Sequence, residues 1–393
     1  MERFAYIKYS DVAAEVRAFC TRKTPDVSNG PMNYIFNFLK WAQNNETIII
    51  SFESESDGNK TFKNNNVTAK AFKNRSKKKY WHFKVGGLIQ FGFEIICVFK
   101  LLRAFKPTWI LCSRIKGALI GSYLYARFYR VRLVVSRHGS IDIGNKKNVV
   151  KLISKLNYYI TRRAAAILCH GPYLRDQLLA QNVERNKIFE FNLSYQSLLT
   201  QKGSDNPTEG RTILYVGRIT ESKGALDLFH ASSRLLHQND DLRLAYAGNG
   251  ECLNKLKELA IANNIEDKVV LYGYVEHDNI RKIMENCSFL VMPTKAISDE
   301  GRPKSAIEAL SFGKPVIAPD LGSFRYLIKD GYNGLLYEPD NIDDLCAKIK
   351  ILLEAKEIYE ALKIGAKQSS KKLLTPELSF TGALQKSYAL SYR

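Results

Sequence analysis

From Glu300 to Glu308 the chain reads Glu-Gly-Arg-Pro-Lys-Ser-Ala-Ile-Glu, two carboxylates eight positions apart around a loop that turns into a helix. Pro303 suits the first helical position, because its fixed φ is already helical and its missing N–H costs nothing there. The N–H groups of Lys304, Ser305 and Ala306 would then lack partners and point outward, and a helix start of this kind receives a phosphate. Glu300 would stand on the loop before that site and Glu308 inside the helix. The pair would clamp a molecule that carries both a diphosphate and a sugar. Carboxylates at this spacing also arise by chance on amphipathic helices, so the neighbouring segments decide the matter.

Upstream, Ile213-Leu214-Tyr215-Val216-Gly217-Arg218 reads as a strand ending in a glycine turn that bears an arginine, and Lys223-Gly224 opens a helix. Arg218 can fork onto two phosphate oxygens, while Lys223 supplies a compact point charge. Gly217 lets backbone approach without a Cβ. A basic residue at a strand end is by itself usually just solvated. The run Val270-Leu271-Tyr272-Gly273-Tyr274-Val275 reads as a strand whose glycine end would offer backbone groups and an aromatic face to a nucleotide base. An ordinary buried strand with a turn reads the same way. Gly313-Lys314-Pro315 then stops a helix and leads into the buried run Val316-Ile317-Ala318. The order of these parts carries the signal: basic turn, base platform, acidic loop, helix start, strand.

Short β-rich runs alternate with helical patterns almost throughout, which implies βαβ units and parallel sheets. The first half offers strands at Thr47–Phe52, Trp109–Ser113, Arg132–His138, Ala165–His170 and Lys187–Phe191. The second offers Thr212–Gly217, Leu242–Gly248, Val269–Tyr274, Phe289–Pro293, Pro315–Ala318 and Gly334–Tyr337. Between the two series lies the polar stretch 201–211, the natural linker. The expectation is therefore an α/β chain of two Rossmann-like, doubly wound domains, 1–200 and 212–375, facing across a cleft at the carboxyl ends of their strands. A last helical segment, 376–393, would cross back onto the first domain.

At 393 residues the chain is long enough for two such cores. Its net charge of +20 is placed unevenly. Residues 1–200 hold 33 Lys and Arg against 13 Asp and Glu, and the remainder balances 26 against 26. A basic half points to an anionic partner: nucleic acid, phosphorylated substrate or acidic lipid headgroups. The densest run, Lys70 to Lys84 with Lys77-Lys78-Lys79 inside it, precedes the apolar stretch Val85–Phe105 and suggests contact with an anionic membrane, a solvated loop being the alternative. Val85–Phe105 is interrupted by Gln90, Glu94, Lys100 and Arg103 and reads as an amphipathic or core helix, not a membrane span. The seven scattered cysteines fit reduced, buried thiols, and Met1–Ser10 lacks the apolar core of a signal peptide. These readings place the protein in the cytoplasm, at most peripheral on the inner face of the membrane.

The second half resembles the donor-binding domain of retaining glycosyltransferases of family 4, the GT-B-fold "glycosyltransferase group 1" domain. The matching segments are VGRITESKG (216–224), LYGYV (271–275), EGRPKSAIEALSFGKPVIA (300–318) and DGYNGLLYEPDN (330–341). The first half is similar to the family's acceptor domain chiefly through SRHG (136–139) and AAAILCHGPYLRDQL (164–178). The resemblance implies that Gly217, Arg218, Lys223 and the N–H groups of Lys304, Ser305 and Ala306 hold the donor diphosphate. It implies that Glu308 binds the ribose hydroxyls and that Gly273, Tyr274 and Val275 line the base. Glu300 would touch hydroxyls of the transferred sugar, with His138 facing that sugar from the first domain and Gly30 on the acceptor side. No cofactor and no metal is expected, the nucleotide sugar being a co-substrate. The chain contains no D-x-D triplet of the kind that holds a divalent cation on a diphosphate in the alternative fold.

Three departures concern the acceptor side more than the donor side. Only Ser28-Asn29-Gly30 stands where the family has a Gly-Gly loop, Phe191-Asn192-Leu193 replaces the usual Asn-Gly, and Arg302 replaces the commoner apolar residue. The leading expectation is sugar transfer onto a lipid-linked glycan in surface polysaccharide, lipopolysaccharide or capsule synthesis. A soluble sugar acceptor is the enzymatic alternative. A non-catalytic nucleotide-sugar binder would have no reason to keep both Glu300 and Glu308, and a nucleic-acid binder would leave the donor-site segments unexplained.

Overall fold

The structure, a computed structural model, describes residues 2–8, 12–21, 30–43, 45–54, 59–73, 83–113, 116–138, 148–192, 211–298, 300–301, 303–373, 375 and 378–391. The chain forms two compact units, Met1–Phe191 with Glu377–Arg393, and Asn192–Pro376. Of the predicted linker 201–211 only Arg211 is described, as the first residue of a strand, and the triplet Lys77–Lys79 lies outside the described residues.

The first unit opens with strand β1 (Arg3–Lys8) and helices α1 (Val12–Cys20) and α2 (Gly30–Trp41). Strands β2 (Glu46–Ser54), β3 (Lys60–Asn64) and β4 (Val67–Lys73) follow, then helix α3 (Phe83–Phe105). Strand β5 (Trp109–Cys112), helix α4 (Gly117–Tyr129), strand β6 (Arg132–Arg137), helix α5 (Asn148–Arg163), strand β7 (Ala166–His170), helix α6 (Pro172–Ala180) and strand β8 (Ile188–Phe191) complete it. They make one eight-stranded sheet in the order β3-β4-β2-β1-β5-β6-β7-β8, parallel except for the β3–β4 hairpin.

Three strands, β1 and the β3–β4 hairpin, stand where none is expected. The first residues form β1, a central strand, because the charges Arg3 and Lys8 only bracket the buried run Phe4-Ala5-Tyr6-Ile7. Lys70 belongs to β4 and not to a loop, standing between Ala69 and Ala71, which are fully buried, and the strand runs on to Lys73. The helix expected at Val85–Phe105 is present as α3. Its Glu94 is fully buried, accepting from Gln90 Nε2 at 3.2 Å and from the Ala118 N–H at 3.2 Å at the start of α4. Gly117 allows α4 to lie close against α3, for a Cβ there would stand 2.2 Å from the Phe91 carbonyl oxygen.

One sheet face packs under α3 to α6 around Ile110, Leu119, Leu133 and Ile167. On the other, Phe4, Trp41, Trp109 and Tyr388 form an aromatic cluster with ring centroids 5.0–6.3 Å apart. Tyr388 belongs to the C-terminal helix Phe380–Ser391, which also sets Phe380 against Tyr34 and Phe191. Edge-to-face pairs of this kind each add about 0.5–1.5 kcal/mol beyond their buried area, so the last helix is an integral part of the first unit.

The second unit alternates strand and helix until two helices close it. Its strands are β9 (Arg211–Val216), β10 (Leu242–Ala247), β11 (Val269–Gly273), β12 (Phe289–Val291), β13 (Val316–Pro319) and β14 (Gly334–Tyr337). Its helices are α7 (Ala225–Gln238), α8 (Leu253–Ala262), α9 (His277–Asn286), α10 (Lys304–Ser311), α11 (Gly322–Leu327), α12 (Ile342–Glu354) and α13 (Lys356–Leu373). All six strands are parallel, in the order β11-β10-β9-β12-β13-β14. Each element expected from the sequence is present here, to within a few residues at its ends. Where sequence cues are strong the ends are sharp: Asn341 caps α12 by accepting the Asp344 N–H at 3.0 Å.

Candidate functional site

The strand order brings the ends of β11, β10 and β9 side by side. The Gly248 N–H donates to the Gly273 carbonyl at 2.7 Å, and the Gly217 N–H to Ala247 at 3.0 Å. A Cβ on Gly248 would stand 1.9 Å from the Gly217 carbonyl oxygen, so these loops meet only because side chains are absent. The outcome is a carboxyl edge of bare backbone. Beside it, Tyr274 is 73% exposed and Val275 half-buried.

After β9 the chain turns back on itself. The Tyr215 hydroxyl donates to the Arg218 carbonyl at 2.6 Å, and the Ile219 N–H donates to Asn249 at 2.9 Å. Burial, helped by the charge of Glu300, keeps the Tyr215 phenol protonated well above its ordinary range. Arg218 is left exposed at the tip. A short 3-10 turn, Glu221–Lys223, leads to Gly224 in the left-handed region at φ 69°. Only glycine fits there, because a Cβ would lie 1.8 Å from the Pro293 carbonyl oxygen.

Lys223 points across to the acidic loop and pairs with the Glu300 carboxylate, both side chains being largely covered. The Ser323 hydroxyl, from the start of α11, holds the Glu300 carbonyl. The Ser305 hydroxyl donates to the Val216 carbonyl at 3.0 Å, which fastens the first turn of α10 to the end of β9. Pro303 does not occupy the first helical position expected of it. With ψ at 88° it is the residue before the helix, and its carbonyl accepts the first intrahelical bond from Ile307 at 3.2 Å. The N–H groups of Lys304, Ser305 and Ala306 therefore still belong to the open first turn. Packed surroundings lower the Lys304 pKa although the residue keeps an exposed face, against the opposing pull of Glu308 and Glu300. Glu308, one turn deeper, is 8% exposed.

The second unit thus gathers Gly217, Arg218, Lys223, Glu300, Lys304, Ser305, Ala306 and Glu308 at one sheet edge, with Gly273, Tyr274 and Val275 two strands along. Arg302 lies outside the described residues. Gly30 and His138 belong to the first unit. Gly30 opens α2. His138 follows β6 and is half-buried, with Nε2 3.0 Å from the Ser136 hydroxyl and its ring 4.6 Å from that of Tyr34.

Sequence reasoning missed three residues. Tyr215 and Ser323 hold backbone of the site, and nothing in their spacing marks them. Arg137, beside His138 and on the opposite face of β6, is buried. Its Nη2 donates to the Thr161 hydroxyl at 2.5 Å and to the Asn157 carbonyl at 3.5 Å. No carboxylate pairs with it among the described residues, and burial lowers its pKa to about 10.

Residues 199–369 match the family model "Glycosyl transferases group 1", a span that contains every candidate site residue of the second unit. An uncharacterized glycosyltransferase of Methanocaldococcus jannaschii is 31% identical over 214 residues, 54% of this chain and 57% of that protein. The N-acetylgalactosamine-N,N'-diacetylbacillosaminyl-diphospho-undecaprenol 4-alpha-N-acetylgalactosaminyltransferase of Campylobacter jejuni is 33% identical over 168 residues, 42% of this chain and 44% of that protein. The chain thus matches only about half the length of these relatives. Along its whole length the chain shares the fold of Anabaena HepE, solved in complex with UDP and glucose, at a TM-score of 0.66 and 13% identity, covering 100% of this chain and 99% of that one. The fold is therefore α/β with two parallel-sheet domains, as in GT-B glycosyltransferases.

Proposed function

We propose that the protein is a retaining glycosyltransferase of family 4 that moves a sugar from a nucleotide-sugar donor to a hydroxyl of a glycan acceptor. The observation that carries this reading is the junction of the Lys223–Glu300 ion pair with the open first turn of α10, beside the exposed Arg218. Departure of a nucleoside diphosphate develops negative charge on phosphate and positive charge at the anomeric carbon. Arg218, Lys223 and the N–H groups of Lys304 to Ala306 are placed to stabilise the first, as fixed donors and cations do most effectively in a covered site. In the proposed step the bond from anomeric carbon to phosphate oxygen breaks on the face where the acceptor oxygen bonds. The acceptor's proton passes to the departing diphosphate. Glu308 would take the ribose hydroxyls, Gly273 to Val275 the base, and Glu300 the sugar hydroxyls, while His138 and Gly30 would serve the acceptor side.

The acceptor we propose is a lipid-linked glycan of a surface polysaccharide, lipopolysaccharide or capsule pathway. The Campylobacter relative, whose name specifies a diphospho-undecaprenol-linked substrate, supports this, and so does the excess charge of the first half. The test begins with UDP-, GDP- and ADP-sugars screened for thermal stabilisation, followed by turnover of the binder with lipid-linked and soluble acceptors. Turnover of no nucleotide sugar would sink the enzymatic reading, and transfer only to soluble sugars would sink the lipid-linked one.

A further inference from the structure

Helices α3, α4 and α5 lie side by side on one face of the first sheet, and their outward surface is unusual for a soluble layer. On α4, Leu124 is exposed and Phe128 is 80% exposed. On α5, Leu152, Leu156 and Tyr159 stand at i, i+4 and i+7 on one stripe, Leu152 being 68% exposed. On α3, Ile89 and Ile96 are seven positions apart and both more than half exposed. The Tyr123 and Tyr159 rings, 6.5 Å apart, join the α4 and α5 parts of this surface.

Cations are interleaved with these side chains. Lys100, Arg103, Arg127, Lys155, Arg162 and Arg163 are all exposed on the same three helices. The only acidic residue within the three helices is Glu94, which is fully buried and bonded to Gln90 and to the start of α4. Arg163 lies 3.7 Å from the Tyr159 ring centroid, a stacking partner that leaves its positive charge uncancelled. No helix among the described residues is long and apolar enough to cross a membrane.

We propose that this outer face of α3, α4 and α5 docks on an anionic lipid bilayer, with Leu124, Phe128, Leu152 and Leu156 entering the boundary between headgroups and acyl chains. Interfacial binding needs apolar side chains and cations on one surface, and both are present. A nucleic acid would use the cations but give the exposed leucines and isoleucines nothing to bury against. A second copy of the chain on this face would set cations against cations. The inference does not rest on glycosyl transfer, and a soluble acceptor would leave it standing. It shifts membrane contact from the expected Lys77–Lys79 run to three folded helices.

The test is co-sedimentation of the full chain with phosphatidylcholine vesicles, with and without phosphatidylglycerol, over a range of salt. Binding should need the anionic lipid and weaken with salt. Arg127→Gln with Arg163→Gln should weaken it about 25-fold, at about fivefold for each charge removed. Phe128→Ser with Leu152→Ser should weaken it about tenfold or more, with an unchanged thermal melt because both side chains are exposed. The proposal is overturned if these variants bind as the parent does, if phosphatidylcholine alone binds equally well, or if only the triple change of Lys77, Lys78 and Lys79 to Gln releases the protein. It is also overturned if Phe128→Ser abolishes a dimer seen by analytical ultracentrifugation, since the face would then be a contact between copies.

Discussion

Lys223 in the second unit and Arg137 in the first are both covered cations at the carboxyl edge of a parallel sheet, and their surroundings treat them in opposite ways. In the second unit Lys223 is held by the Glu300 carboxylate, and other cations of that unit are likewise paired: Lys295 with Asp227 at 3.4 Å, Arg211 with Asp241 at 2.9 Å. In the first unit Arg137 is buried against a hydroxyl and a carbonyl, and the helices above it present cations with no exposed acid among them. A paired cation is fixed in position and becomes available when an incoming anion displaces its partner. An unpaired one acts through its field, or represents a desolvation cost that its surroundings must offset. The first arrangement suits recognition of one small ligand and the second suits attraction of a large anionic surface.

The largest effect should come from breaking the paired side. With the cognate nucleotide sugar, Arg218→Ala and Lys223→Ala should each lower kcat by about 100- to 1000-fold, the cost of removing one stabiliser of transition-state charge. Glu300→Gln should separate two roles. Turnover should fall, yet calorimetric affinity for the free nucleoside diphosphate should rise, because the diphosphate no longer competes with a carboxylate for Lys223. Full activity in Glu300→Ala would refute its contact with the sugar.

The next effect concerns the one buried ion pair described in the first unit. Lys8, at the end of β1, pairs with Glu15 at 3.1 Å, both almost fully covered. Lys8→Met should destabilise the protein by about 3–5 kcal/mol, since it strands a buried carboxylate, and Lys8→Met with Glu15→Leu should recover most of that loss. Burial lowers the Lys8 pKa from 10.5 to about 8, opposed by Glu15. Between those values the unfolded chain binds the proton that the folded chain has released. This group's contribution to stability therefore rises with pH from about 8 to 10.5. Denaturant melts across that window should show the rise in the parent and lose it in the double variant.

How much was legible in the sequence follows the same division. The second unit was readable because its strands are buried on both faces and its turns carry glycine, proline or a capping asparagine, all local signals. The Glu300–Glu308 segment showed its helix start to within one residue, Pro303 lying just outside because its ψ is not helical. Local patterns could not reveal that Lys223 and Glu300 meet, since 77 positions separate them and only the β9–β12 neighbourhood brings them together. In the first unit the charged ends of β1 concealed a central strand, and the lysines of β4 read as a loop although its alanines face the core. The net charge was visible from composition. Its distribution over α3, α4 and α5 was not, because an exposed leucine and a buried one look alike until neighbouring helices are placed.

The smallest effect is the most direct probe of the unpaired side. Arg137 could be retained because its two hydrogen bonds outweigh desolvation, or because the position tolerates a cost. Methionine preserves much of its length and removes the charge. It also strands little, since the Thr161 hydroxyl keeps its own bond to the Asn157 carbonyl at 2.7 Å. Desolvation, the first cause of the lowered arginine pKa, then has nothing left to act on. Arg137→Met should therefore stabilise the protein by about 1 kcal/mol, raising the Tm of the first unit by about 2–4 °C in calorimetry. A fall in Tm instead would show that the bonds to Thr161 and Asn157 more than repay the buried charge, and the contrast with Lys223 would then be one of partner chemistry, not of stability.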